Sequence, residues 1–371
     1  MLSTEIPFQE VLNALCDEAN QLPPSFLHRL SDLPPNEVMQ LDIHWPLVPL
    51  WRRQVLMEDL EQLTEADLLL SFEAIGRLAL RDSDPRVRTS ALYLLWDYDL
   101  DDLLPNFIRL METDADPAVR ATAAALLGRF VLLGETALLE KPPTSNLQNR
   151  LLNICATDPD VFVRRCALES VSYANPPEIS PLIEQAFASG DRDWVACALV
   201  CAGRSMDEHW SEQVLSMLDH KIPLLRAEAA RAAGEMELTS ARARLFELLR
   251  DSDDEVHQAA IWSLSQIGGE CVRAALERLW RRADDDDEIA LLEEALDNLA
   301  FTENSGPFTL LEIDEEESAG AGQELSLEED EYSFDEEEID LLSDEEIEEG
   351  DDFDVEDEYF ESLDEDEEIP F

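Results

Sequence analysis

A segment of about 31 residues recurs along the chain, and no other feature constrains the fold as tightly. The segments RDSDPRVRTSALYLLWDY, METDADPAVRATAAALLGRF, ATDPDVFVRRCALESVSYA, ASGDRDWVACALVCAGRS, DHKIPLLRAEAARAAGEM and RDSDDEVHQAAIWSLSQIG align on Val87, Val119, Val163, Trp194, Leu225 and Val256. The steps between these anchors are 32, 44, 31, 31 and 31 residues. A unit of this size cannot cover its own apolar face. Repetition at this period therefore predicts an all-α solenoid of stacked antiparallel helix pairs, each buried by its neighbour.

Each unit reads as helix, tight turn, helix. The turn carries Asp and often Pro, as in Asp84-Pro85 and Asp116-Pro117, with Pro223 at the same place. Asp accepts a backbone N–H bond at a helix start, and Pro fits the first helical position. Four residues past each anchor stands an alanine: Ala91, Ala123, Ala167, Ala198, Ala229 or Ala260. Eight past it stands Leu95, Leu127, Val171, Ala202, Ala233 or Leu264, so anchor, alanine and apolar residue share one helix face. First helices precede the turns, most clearly ISPLIEQAFA, SEQVLSMLD, ARARLFELLR and CVRAALERLW. Gly128, Gly203, Gly234 and Gly268 fall where left-handed helix caps are expected.

Three regions are expected on this pattern. Residues 1–48, with Pro23-Pro24 and Pro34-Pro35, read as an irregular helical N-terminal cap. Residues 49–302 read as the solenoid, with an insertion loop at about 134–150 that accounts for the long step. Residues 303–371 read as an acidic disordered tail. From Glu312 to Phe371 there are 32 of the chain's 86 acidic residues and no basic one. In an extended chain those charges lie roughly 6–7 Å apart, inside a Debye length of about 8 Å, and repel one another. Tyr332, Phe334, Phe353, Tyr359, Phe360 and Phe371 are scattered among them, a composition suited to recognition.

Charge excludes one function class. The formal net charge is −60, and residues 1–311 are negative even without the tail. Such a surface repels a phosphate backbone, so no nucleic-acid partner is expected. The opening MLSTEIPFQE has no basic segment or apolar stretch and is not read as a secretory signal. No window of 18 residues is continuously apolar, so no membrane partner is expected. Six cysteines lie within helical patterns rather than in a spaced framework, which suits reduced thiols and a cytoplasmic location.

At the residues DADPAVRATAAALLGRF and DSDDEVHQAAIWSLSQIGG the sequence resembles HEAT repeats, particularly the short type first associated with phycobilisome lyases. The resemblance covers roughly Trp51 to Phe301, and the whole chain is similar to bacterial HEAT proteins with acidic C-terminal tails. It implies a right-handed, curved α-solenoid, with first helices on the convex side and second helices on the concave side. It also implies an alternative function. One superfamily relative is a diiron hydroxylase that binds metal through His-Glu dipeptides, and the namesake lyases act on tetrapyrroles with a partner subunit. No His-Glu dipeptide occurs here, which disfavours a metal-dependent hydroxylase or oxidoreductase.

Two sets of residues are candidates for function. Arginine follows the anchor at Arg88, Arg120, Arg164 and Arg226. These form either a cationic ridge for an acidic ligand or a ladder bonded to turn carboxylates such as Asp84, Asp116 or Asp160; the recurring Asp favours the ladder. Six past the anchor come Tyr93, Ala125, Glu169, Val200, Arg231 and Trp262, and two past it comes Arg165. Tyr93, Arg165, Glu169, Arg231 and Trp262 are candidate partner contacts; the other reading packs them beneath neighbouring helices. No catalytic constellation or phosphate-binding loop is present in the sequence. Cys197 and Cys201 lack two further ligands at zinc spacing, so no metal or cofactor is expected. The expected function is a non-catalytic protein-binding scaffold. Its partner would be a protein with a basic and apolar surface, or its own tail folded back.

Overall fold

A computed structural model of the chain describes residues 6–67, 69–96, 98, 101–136, 144–269 and 271–304. These residues form helices and no strands. Three short helices come first: α1 (Phe8–Leu15), α2 (Pro24–Arg29) and α3 (Pro35–His44). A longer α4 (Leu50–Ala66) follows. Seven hairpins then succeed one another: α5 (Glu73–Ala79) with α6 (Pro85–Leu94), α7 (Leu104–Thr113) with α8 (Pro117–Glu135), and α9 (Thr144–Thr157) with α10 (Val161–Val171). They continue with α11 (Ile179–Ala188) and α12 (Arg192–Ser205), α13 (Ser211–Met217) and α14 (Pro223–Glu235), α15 (Arg242–Leu248) and α16 (Asp254–Ile267), and α17 (Val272–Trp280) and α18 (Asp286–Asn304). Each first helix packs on its own second helix. The second helices also pack one on the next from α4 through α18, the solenoid pattern.

The predicted anchors start the second helices. Val87, Val119, Val163 and Val256 are fully buried, as are the alanines four residues beyond every anchor. Full burial of a Val or Leu side chain is worth about 1.5–3 kcal/mol, so this helix face contributes substantially to the stacking. Trp194 is the exception: it is half-buried, and the following Val195 is buried instead. Asp84, Asp160 and Asp191 each accept two backbone N–H bonds at the helix start, and Asp116 and Asp253 accept one each. At α14 Ile222 takes the cap position without a side-chain bond, and Pro223 follows it.

Gly128, Gly203 and Gly234 correct the expectation of left-handed caps. They lie inside α8, α12 and α14, nine residues past the anchor. Of the four glycines only Gly268 caps a helix with positive φ, at 62°, while α12 is capped instead by Met206 at 50°. The role of the other three is close approach. A Cβ on Gly234 would lie 2.8 Å from Ser263 Cα of the next second helix, and one on Gly128 would lie 3.2 Å from Ser170 Cα. The same serines bond across the interface, Ser263 Oγ to the Ala230 carbonyl at 2.7 Å and Ser170 Oγ to the Ala124 carbonyl at 2.8 Å.

The insertion also differs from expectation. α8 runs to Glu135 and α9 starts at Thr144, so much of 134–150 is helical; residues 137–143 lie outside the described residues. Leu147, Leu151 and Ile154 are buried at helical spacing and hold α9 against α10. α8 is apolar and long enough, at 19 residues, to meet a length-and-composition test for a membrane span. Its apolarity is accounted for by packing against α6, α7, α9 and α10. The expected tail lies outside the described residues beyond Asn304, the end of α18.

The arginines form a ladder, but not to the cap carboxylates. One oxygen of each cap carboxylate is taken by its own helix N–H groups. The partner is instead the Asp two residues before the cap of the next hairpin. Arg88 donates to Asp114 from Nε at 2.8 Å and Nη2 at 2.6 Å. Arg120 pairs with Asp158 at 2.8 and 3.0 Å, and Arg226 with Asp251 at 2.8 and 2.7 Å. Each arginine also donates to two carbonyls of its own turn. A further rung, Arg53 to Asp82, joins α4 to the turn before α6. Such two-pronged pairs fix register as well as adding energy.

Two outcomes follow for stability. Gly234→Val should cost about 1–3 kcal/mol in urea unfolding, because the next helix must retreat; an unchanged midpoint would contradict the close approach. The rungs also set an acid limit. The Asp251 carboxyl is held low by the Arg226 hydrogen bond. For Asp158 burial pushes upward, but the Arg120 bond, the Asp160 N–H and nearby positive charge outweigh it. Carboxyls lowered on folding stabilise above their unfolded value, about 3.9, and that stability is lost as pH falls through the folded value. Urea titrations should show Asp158→Asn and Asp251→Asn costing stability at pH 7 and much less near pH 2.

Candidate protein-binding surface

Six past each anchor, the side chain is never fully buried. Tyr93 is 48% exposed, and Ala125, Glu169, Val200, Arg231 and Trp262 are half-buried. The helices turn this position outward because the anchor, alanine and apolar residue occupy the opposite face. The two-past positions divide: Ala121 and Ala227 are buried, Thr89, Arg165 and Ala196 are half-buried, and Gln258 is exposed. Packing beneath neighbours thus describes the two buried alanines; of the five candidate residues Tyr93 is exposed, the other four are half-buried, and Trp262 also rests against the core.

Three of the five belong to one polar cluster, in which Arg231 is linked to Arg165 and Glu169 through Glu228 and Arg204. Arg165 and Glu169 stand one turn apart on α10, and Arg231 stands on α14. Arg204 of α12 lies between them. Its Nη1 donates to the Glu169 carbonyl at 2.9 Å, and its guanidinium lies 4.8 Å from the centroid of Tyr173. Arg231 Nη1 donates to Glu228 Oε1 at 2.6 Å. Arg165 lies 5.7 Å from the exposed Phe162 ring and 3.4 Å from the Asp193 carboxylate. Tyr93 on α6 and Trp262 on α16 flank the cluster in the row of second helices. Arg204 and Glu228 were not anticipated. They stand ten and three residues past their anchors, positions at which this pattern varies between repeats.

Burial raises the Glu169 carboxyl, and the charge of Glu228 adds to this while Arg204 and Arg165 only partly oppose it. Burial likewise raises Glu228, with Glu255 adding to the effect and Arg231 opposing it. A carboxyl raised on folding favours the folded state below its unfolded value, about 4.3, and that advantage is lost as pH rises through the folded value. When ionised, these carboxylates have less solvation than they would have in water. An approaching cation offsets that deficit.

Three nearby thiols are shifted away from the thiolate form. Hydrogen bonding to Cys201 and burial push Cys197 well up, and burial holds Cys155 and Cys166 at about 12. A nucleophilic or metal-binding cysteine requires the opposite shift. Among the described residues, no group of three or more His, Cys, Asp or Glu side chains is placed to hold a metal ion.

The family model for HEAT repeats matches residues 73–141 and 211–299. These segments are HEAT repeats. The unmatched interval contains the long α9 and the hairpin whose anchor is Trp194, where the HEAT pattern is most altered. No curated protein matches the chain. Among solved structures, the Escherichia coli protein YibA is 16% identical with a TM-score of 0.38, covering 76% of this chain and 99% of its own. Human deoxyhypusine hydroxylase in complex with glycerol is 14% identical with a TM-score of 0.32, covering 81% and 97%. An engineered protein is 18% identical with a TM-score of 0.34, covering 54% and 98%. The family match carries the assignment of these two segments.

Carboxyl carbon NMR should place the Glu169 and Glu228 titrations above the ordinary glutamate range. Midpoints at or below that range would contradict the crowding described for this surface.

Proposed function

We propose that this HEAT-repeat protein is a non-catalytic scaffold that binds a protein partner across the accessible face of its second helices. The observation that carries this reading is the cluster of Arg165, Glu169, Arg204, Glu228 and Arg231, with the exposed Phe162 ring against Arg165. Arginine and aromatic residues are enriched at protein interfaces and among the residues that carry most of their binding energy.

The partner has a basic and apolar surface. Glu169 and Glu228 are poorly solvated carboxylates, and a lysine or arginine brought against them regains the lost stabilisation. The acidic sequence from Glu312 to Phe371 favours the same class of partner and speeds its encounter. A cytoplasmic setting, where the six cysteines stay reduced, fits this role.

The test is affinity purification with mass spectrometry on three proteins: the full chain, the chain lacking residues 303–371, and the full chain carrying Tyr93→Ala, Glu169→Gln, Arg231→Glu and Trp262→Ala. The substituted protein should lose the partners of the full chain while keeping its helical circular dichroism, and the truncated one should bind them more weakly and with less salt dependence. Partners and affinities identical in all three would sink the proposal. Binding of a purified partner should also strengthen as pH rises through the raised Glu169 and Glu228 values.

A further inference from the structure

The arginine ladder is broken at one place. Arg164 follows its anchor as Arg88, Arg120 and Arg226 follow theirs. Two residues before the next cap, where the other rungs have Asp114, Asp158 and Asp251, this chain has Ser189. The serine keeps half of the aspartate's work, since Ser189 Oγ accepts the Asp191 N–H at 3.1 Å, as Asp114 accepts the Asp116 N–H at 3.0 Å. It cannot accept a two-pronged bond from arginine. Arg164 has no carboxylate within ion-pair distance among the described residues, and its Nε is buried without a hydrogen-bond partner. The nearest acid of its own turn, Asp158, is committed to Arg120.

Beside this guanidinium lies a cavity of about 400 Å³. Leu168, Leu182, Gln185, Ser189 and the Trp194 ring are among its lining. The volume is in the range of small-ligand sites, and the mixture of apolar wall and few polar groups is typical of them. Trp194 replaces the valine or leucine of the other anchors, giving the cavity an aromatic wall. The Cys155 thiol on the lining is held at about 12 by burial, so it presents no negative charge. A cavity at the corresponding place beside Arg88 gives the comparison: there Asp114 lines the space and already holds the arginine.

We propose that the cavity beside Arg164 binds a small organic carboxylate. Its carboxylate takes the place that Asp114, Asp158 and Asp251 hold on the intact rungs, accepting from Arg164 Nε and Nη2. Its apolar body lies against Trp194, Leu168 and Leu182, and Ser189 and Gln185 border its polar end. The three intact rungs define the geometry, and an arginine with an unused buried donor supplies the driving force. The site lies on the turn side of α10–α12 and does not depend on the protein-binding role of the cluster described above.

The test uses the full chain and phenylacetate as probe, with phenylacetamide as its uncharged counterpart and an acidic peptide as the other carboxylate source, all by titration calorimetry. Phenylacetate should bind with a Kd of about 1 mM or tighter. The amide should not bind, and Ser189→Asp and Arg164→Gln should each weaken phenylacetate by about tenfold or more. Ser189→Asp supplies the missing rung from within, so it should also raise the thermal midpoint by about 2–4 °C. Absence of phenylacetate binding overturns the proposal, as does equal binding of the amide or binding of the acidic peptide alone. So does a Ser189→Asp protein whose midpoint does not rise, because Arg164 would then not be an open rung.

Discussion

Burial between neighbouring second helices governs this molecule. Val87, Val119, Val163 and Val256 and the alanine one turn beyond each lie on a face that no single hairpin can cover. The next hairpin covers it, and does so at a distance that only small residues permit. Gly234 against Ser263, Gly203 against Ala232 and Gly128 against Ser170 are points of close approach. The serines convert crowding into hydrogen bonds to Ala124 and Ala230 carbonyls, so the interface is tight without leaving a buried hydroxyl unpaired.

The Arg–Asp rungs act on top of that packing. Each joins the start of one second helix to the turn before the next, so the pair forms only when two hairpins are in register. A partly buried pair of this kind adds little net energy over an apolar substitute, but breaking it leaves a charge without a partner. The consequence is discrimination between the correct stack and a slipped one. The same logic makes the gap at Ser189 informative, since a rung without its acid leaves a guanidinium without its two-pronged partner.

Much of this organisation was legible in the sequence because it repeats. The anchors, the alanines, the cap aspartates and the helical hairpins recur at fixed offsets, and six aligned copies distinguish face from accident. The outward line from Tyr93 to Trp262 was legible for the same reason. The rung partners were not, because they belong to a different hairpin and stand 26, 38 and 25 residues away. The glycines were misleading: near a helix end Gly suggests a left-handed cap, whereas here the absent Cβ serves the neighbour. α9 was obscured by the prolines before it, although Leu147, Leu151 and Ile154 carry helical spacing. Arg204 and Glu228 lay at offsets where the repeats disagree, so periodicity could not single them out.

Native-state hydrogen exchange on Leu225→Ala tests the account most directly. Leu225 is the buried anchor of α14, and its truncation leaves every other hairpin's own residues unchanged. If stability passes from neighbour to neighbour, protection falls most in α14, next in α12 and α16, and little in α6. Loss confined to α14, or equal loss from α4 to α18, would contradict it.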